Sequence, residues 1–99
     1  MHTIIQFADH AEAIRRLLAE YGRLLDLRDA QGWASLFMPD GEWVGGTRYG
    51  VMSGHAALAS FIEREFASAP PCVHILGNMA ISETKVGATA WSRWMLIES

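Results

Sequence analysis

Two hydrophobic rhythms divide this chain and limit the folds open to it. After Ile14, apolar residues recur at three- and four-residue steps through Leu17, Leu18, Tyr21, Leu24 and Leu25. That spacing puts side chains on one face of a helix. From Cys72 to Ile97 the rhythm becomes an alternation, interrupted by a turn between Glu83 and Gly87, as in two long strands. Helices first and a strand hairpin last argue against a parallel doubly wound sheet. They predict an α+β domain, with helices packed on a curved, mainly antiparallel sheet that can enclose a pocket.

The stretches between are punctuated clearly. Asp9 and Glu12 have the spacing of a capping box at the start of the first helix. Gly32 limits that helix or its short continuation, and Trp33 to Met38 reads as one further helical turn or two, stopped by Pro39. Pro39-Asp40-Gly41 signals a turn. Glu42-Trp43-Val44 reads as a short strand, with Thr47 to Val51 as its return. Ser53 is the expected cap of a helix whose apolar residues are Ala57, Leu58, Phe61, Ile62 and Phe66, ended by Pro70-Pro71. In the first long strand, alternation puts Val73, Ile75 and Ile81 on one face and His74, Leu76 and Asn78 on the other. Trp91 and Trp94 fall on opposite faces of the second.

Composition narrows the class. The chain has 99 residues, 51% hydrophobic and 19% charged, which suits one domain, 1–99, with its own core and is unlike a disordered chain. The net charge is −3 and no Lys/Arg run occurs, so nucleic acid is not an expected partner. Cys72 is the single cysteine, which fits a reducing compartment. No apolar run reaches the roughly 20 residues of a membrane span, and no basic-then-apolar leader pattern opens the chain. The expectation is a soluble cytoplasmic protein with no membrane partner. His2, His10, His55 and His74 lack ligand spacing, so no metal is expected. The glycines at 41, 45, 46, 50 and 54 lack the ending of a phosphate loop and read as turns. No cofactor is expected.

Four pieces carry a family resemblance: Tyr21-x4-Asp26-x2-Asp29, Leu36-Phe37-x2-Asp40-Gly41-x-Trp43, Gly50-x3-Gly54 and His74-x3-Asn78. In this order the chain resembles the SnoaL-like group of the nuclear transport factor 2-like superfamily along nearly its whole length. Within the group it looks most like scytalone dehydratase and lindane dehydrochlorinase. The resemblance implies a cone-like domain with an interior pocket for a small hydrophobic molecule. It also implies an acid/base pair of an aspartate from the first helix and a histidine from the following strand, here Asp26 and His74. Two departures stand out. Tyr21 occupies the place of the lysine that the dehydrochlorinase carries one turn before its aspartate, which argues against dehalogenation. Relatives continue for one or two more strands, so the expectation is that these strands are absent here or supplied by another chain. A bare sheet edge is adhesive, so a homodimer is expected.

A carboxylate beside a histidine suits proton transfer near neutral pH, worth roughly 10²–10⁴-fold in rate. The implied activity is that of a cofactor-independent lyase, isomerase or cyclase acting on a small hydrophobic ring compound, with Asp26 and His74 catalytic. Tyr21, Trp43, Tyr49, Asn78 and Trp91 are the expected substrate-binding residues. The residues themselves leave other readings open. A helical wheel places Asp29 nearer the apolar stripe than Asp26, so the resemblance alone selects Asp26; Asp29 reads as a helix cap. His74 reads equally as a strand histidine with a backbone partner, and Asp26 as a helix-end residue tied to Arg23 or Arg28. The alternative function is a non-catalytic binding or assembly subunit of the same fold, as in the β subunits of ring-hydroxylating dioxygenases. Contact between Asp26 and His74 inside a closed cavity would favour the enzyme.

Overall fold

In the computed structural model the described residues are 2–98, with side chains described from His10 onward. The first periodic stretch forms α1, His2–Asp26. It starts well before Asp9, which therefore stands inside the helix; the Asp9 side chain lies outside the described residues. The helix ends with Asp29 N–H bonded to Leu24 O at 3.0 Å and Arg28 N–H to Leu25 O at 3.1 Å, the paired bonds of a Schellman ending. Its left-handed residue is Arg28, at φ 58°, where a side chain costs about 1–2 kcal/mol.

The side chain of Arg28 offsets that strain. Its guanidinium donates to the carbonyls of Phe66 and Ala69, the latter at 2.7 Å, and lies 5.6 Å from the Phe66 ring centroid. These carbonyls stand at the end of α4 (His55–Ser68), where a helix leaves acceptors unpaired and favours a cation. The turn after α1 is thus clamped to the tail of α4. Asp29 then caps α2 (Ala30–Ser35), accepting from Gly32 N–H at 2.9 Å. Leu24, Leu25, Trp33, Ala34, Leu58, Phe61 and Ile62 of these three helices form the core; Trp33 and Leu58 expose none of their surface.

The middle of the chain differs in detail from its sequence pattern. β1 (Glu42–Val44) pairs antiparallel with β2 (Val51–Ser53), from Glu42↔Ser53 to Val44↔Val51. The residues expected to begin the return strand instead make α3, the single turn Gly46–Tyr49. Gly50, at φ 71°, reverses the chain between α3 and β2, a conformation that a Cβ opposes. Ser53 consequently belongs to β2, and the N-cap of α4 is Gly54.

β3 (Cys72–Thr84) and β4 (Gly87–Glu98) form a long antiparallel hairpin, from Cys72↔Glu98 to Thr84↔Gly87. Leu76 faces Trp94 but Met79 faces Ser92, so Gly77 and Asn78 together oppose Arg93 alone. This bulge inverts the alternation beyond it. The less exposed positions run Cys72, His74, Leu76, then Met79 and Ile81. Ile81 therefore sits on the opposite face from Val73 and Ile75, and Asn78 is exposed. The outer face carries Val73, Ile75, Trp91, Met95 and Ile97, which are 43–61% exposed. The architecture is α+β as expected, with the described strands arranged as two separate hairpins. No helix among the described residues is long and apolar enough to cross a membrane.

The Arg28 turn yields a prediction. Arg28→Ala and Arg28→Gly both remove the clamp, but only alanine keeps the left-handed strain. Urea denaturation should show the glycine variant more stable than the alanine variant by about 1 kcal/mol. Equal stability, or a more stable alanine variant, would contradict the turn geometry.

Candidate active site

The site begins where α1 lies close against the hairpin. Gly22 permits this approach: a Cβ there would stand 2.8 Å from the Trp94 ring and 3.6 Å from His74 Cβ. One helical turn later, Asp26 projects on the same side. Its Oδ1 accepts two hydrogen bonds from His74, from the backbone N–H at 2.9 Å and from ring Nδ1 at 2.8 Å. A carboxylate accepts and cannot donate, so Nδ1 carries a hydrogen, and in the neutral ring the lone pair is then on Nε2. Among the described residues no hydrogen bond engages Nε2. The two side chains are 27% and 16% exposed. They are therefore partly withdrawn from water yet remain reachable. Neither competing arginine holds Asp26: Arg23 binds Glu20 at 2.6 and 2.9 Å, and Arg28 binds α4.

His74 lines a partly open cavity of about 520 Å³, within the roughly 300–1,000 Å³ of small-molecule sites. Leu18, Tyr21, Leu25 and Arg28 make one wall at helical spacing, and Trp33, Trp43, Tyr49, Phe61 and Trp94 supply aromatic surface. These rings brace one another: Trp43 lies 4.8 Å from Phe61 and 5.7 Å from Tyr49, and Tyr21 lies 5.8 Å from both Trp33 and Trp94. Such contacts hold a wall in shape without a ligand. Among the described residues no three His, Cys, Asp or Glu side chains converge in a group that could hold a metal.

Tyr21 and Arg28 are the polar members of that wall. The Tyr21 hydroxyl accepts a hydrogen bond from Trp43 Nε1 at 3.2 Å. Burial pushes the phenol above its ordinary range, and the indole N–H groups of Trp43 and Trp33 offset part of the rise. The Trp33 N–H is itself buried and makes no hydrogen bond of normal geometry; it acts on the Tyr21 oxygen at longer range. A raised folded-state pKa means that folding favours the neutral phenol. This contribution is complete below the unfolded tyrosine value of about 10 and is lost as pH rises through the folded one.

Of the expected binding residues, Tyr21, Trp43 and Tyr49 line the cavity with His74. Trp91 does not: it is 55% exposed on the outer face of the hairpin, beneath Arg93 at 5.5 Å. Asn78 is exposed on the bulge and is also absent from the lining. The cavity instead uses Trp33, Phe61, Cys72 and Trp94. Alternation separated Trp94 from Trp91, but only the pairing of Trp94 with Leu76 decides which of them points inward.

Helices folded against antiparallel strands around an apolar cavity define a small α+β pocket domain. The chain belongs to the SnoaL-like domain family, whose model matches residues 6–98. Its fold is the nuclear transport factor 2-like one. An NTF2-like protein with a cystatin-like fold from Novosphingobium aromaticivorans is 28% identical, with a TM-score of 0.82 over 98% of this chain and 64% of that one. A candidate scytalone dehydratase from the same organism is 23% identical, with a TM-score of 0.81 over 97% and 64%. A protein from Catenulispora acidiphila is 24% identical, with a TM-score of 0.78 over 92% and 66%. The chain thus spans about two thirds of the length of these neighbours. No curated protein matches it.

Two measurements test the site. In ¹⁵N NMR the His74 ring should carry its hydrogen on Nδ1, and Asp26→Asn should shift the population toward Nε2–H. An unchanged tautomer in the variant would break the link between carboxylate and ring. In an absorbance titration of the folded protein, Tyr21 should ionise above the usual tyrosine range, and Trp43→Phe should raise its midpoint further. A normal midpoint, or a fall in the variant, would contradict the burial argument.

Proposed function

We propose that this domain catalyses proton abstraction from carbon in a small hydrophobic ring compound, as a cofactor-independent lyase, isomerase or cyclase. The observation that carries the reading is the 2.8 Å bond from His74 Nδ1 to Asp26 on a histidine that lines an apolar cavity. Nε2 takes a proton from carbon next to a carbonyl. Asp26 stabilises the imidazolium through the Nδ1 hydrogen, and the carbonyl receives the electron pair as an enolate. In an elimination the enolate expels a β-hydroxyl, and the proton on Nε2 leaves with it as water. Aromatic walls shield the ligand from solvent and so strengthen the charge interactions around it. The neighbour described as a candidate scytalone dehydratase supports this direction through its fold.

The test is dehydration of β-hydroxy ring ketones, beginning with 3-hydroxy-1-tetralone, whose product 1-naphthol is fluorescent. The expected result is turnover above background, with kcat/KM lowered roughly 10²–10⁴-fold in His74→Gln. Binding without turnover, or turnover that survives His74→Gln, would overturn the acid/base reading. Binding alone would favour a non-catalytic domain.

A further inference from the structure

The cavity is charged at one end. Glu65 follows Phe61 and Ile62 by one helical turn and lines the cavity with them. Arg28, the last member of the α1 wall, donates to the carbonyl of the very next residue, Phe66. Apart from His74, these two are the charged side chains among the lining residues. Glu65 is half-buried. Its backbone carbonyl accepts from Ala69 N–H at 2.9 Å, while its carboxylate makes no hydrogen bond or ion pair among the described residues. A guanidinium carries five N–H donors. Arg28 uses one on Phe66 and one on Ala69, so donors remain.

We infer that this end of the cavity binds an uncharged group that both donates and accepts, a hydroxyl or a carboxamide on the ligand's ring system, which donates to Glu65 and accepts from Arg28. The inference rests on the cavity being the ligand site and deepens that reading by naming a second group on the ring compound, apart from the carbonyl. The two charges make the choice. A ligand carboxylate is drawn to Arg28 but repelled by Glu65, and an ammonium meets the reverse, so each gain is largely offset. A neutral donor–acceptor group gains from both residues, and hydrogen bonds to charged partners are the stronger kind. An ether or a bare hydrocarbon covers the Glu65 carboxylate and gives it nothing in place of water. That is the penalty by which polar sites reject ligands lacking the matching group. Arg28 is already held by α4, so its remaining donors are placed before the ligand arrives.

The test is a set of 1-tetralones that differ at carbon 6, carrying hydroxyl, carboxamide, methoxy or carboxylate, compared by calorimetry at a pH where the phenol is neutral. Glu65→Leu removes the acceptor, and near-ultraviolet circular dichroism checks that the variant keeps its aromatic packing. In the wild type the hydroxyl or carboxamide ligand should bind about tenfold more tightly than the methoxy one, the lower range for a bond to a charged group that water partly screens. Methoxy can still accept from Arg28, so the difference isolates the bond to Glu65. Glu65→Leu should abolish that preference and, with Arg28 unopposed, make the carboxylate the tightest ligand of the set. Preference for only one of the neutral groups identifies which of them the subsite takes. If neither outbinds the methoxy ligand, if the advantage survives Glu65→Leu, or if the variant does not improve carboxylate binding, the subsite is wrong while the cavity reading stands. If no tetralone binds the wild type, the cavity reading falls and the subsite with it.

Discussion

One oxygen of Asp26 accepts two hydrogen bonds from His74, one from the backbone and one from the ring, and this junction governs how the helical and strand halves meet. The backbone bond fixes the start of β3 against the end of α1. The ring bond fixes the tautomer and direction of the imidazole. Hydrogen bonds to a charged group are worth about 1.5–3 kcal/mol each before allowance for solvent, and the partial exposure of both side chains lowers that figure. The same carboxylate oxygen therefore ties the strand to the helix and sets the ring, so losing it disturbs both.

The junction needs support on each side. Gly22 leaves room for Trp94 to lie against α1. The Schellman turn at Arg28 closes the helix after Asp26 and ties it to α4. With α1 placed, its cavity-facing positions become a wall, and α3 and α4 close the opposite side with Tyr49 and Phe61. The result is a largely apolar space that His74 of β3 and Tyr21 of α1 both line.

The sequence announced the elements better than their faces. The stripe from Ile14 to Leu25, the Pro70-Pro71 stop and the final alternation each correspond to an observed element, because burial and backbone chemistry are local signals. Asp26 was different. A helical wheel records burial among apolar neighbours, whereas Asp26 is placed by a partner on β3, so only the family resemblance pointed to it. Asn78 and Ile81 changed faces because the bulge at Gly77 and Asn78 adds one residue to β3, which no periodic reading contains. Sequence makes both Trp91 and Trp94 core or pocket-wall candidates and selects Trp91 for binding, whereas their register against β3 turns Trp94 inward and Trp91 outward. From sequence, Trp33 reads only as the start of a further helical turn; its unpartnered N–H appears only when its neighbours are in place.

The central claim is that Nε2 of His74, held by Asp26, removes protons from carbon in a cavity-bound ring ketone. The most direct measurement is deuterium exchange at carbon 2 of 1-tetralone, followed by proton NMR in D₂O with the protein present. The account predicts exchange faster than in buffer, returning to the buffer rate in His74→Gln. Exchange at the buffer rate with the ketone demonstrably bound, or acceleration that persists without the histidine, would contradict it.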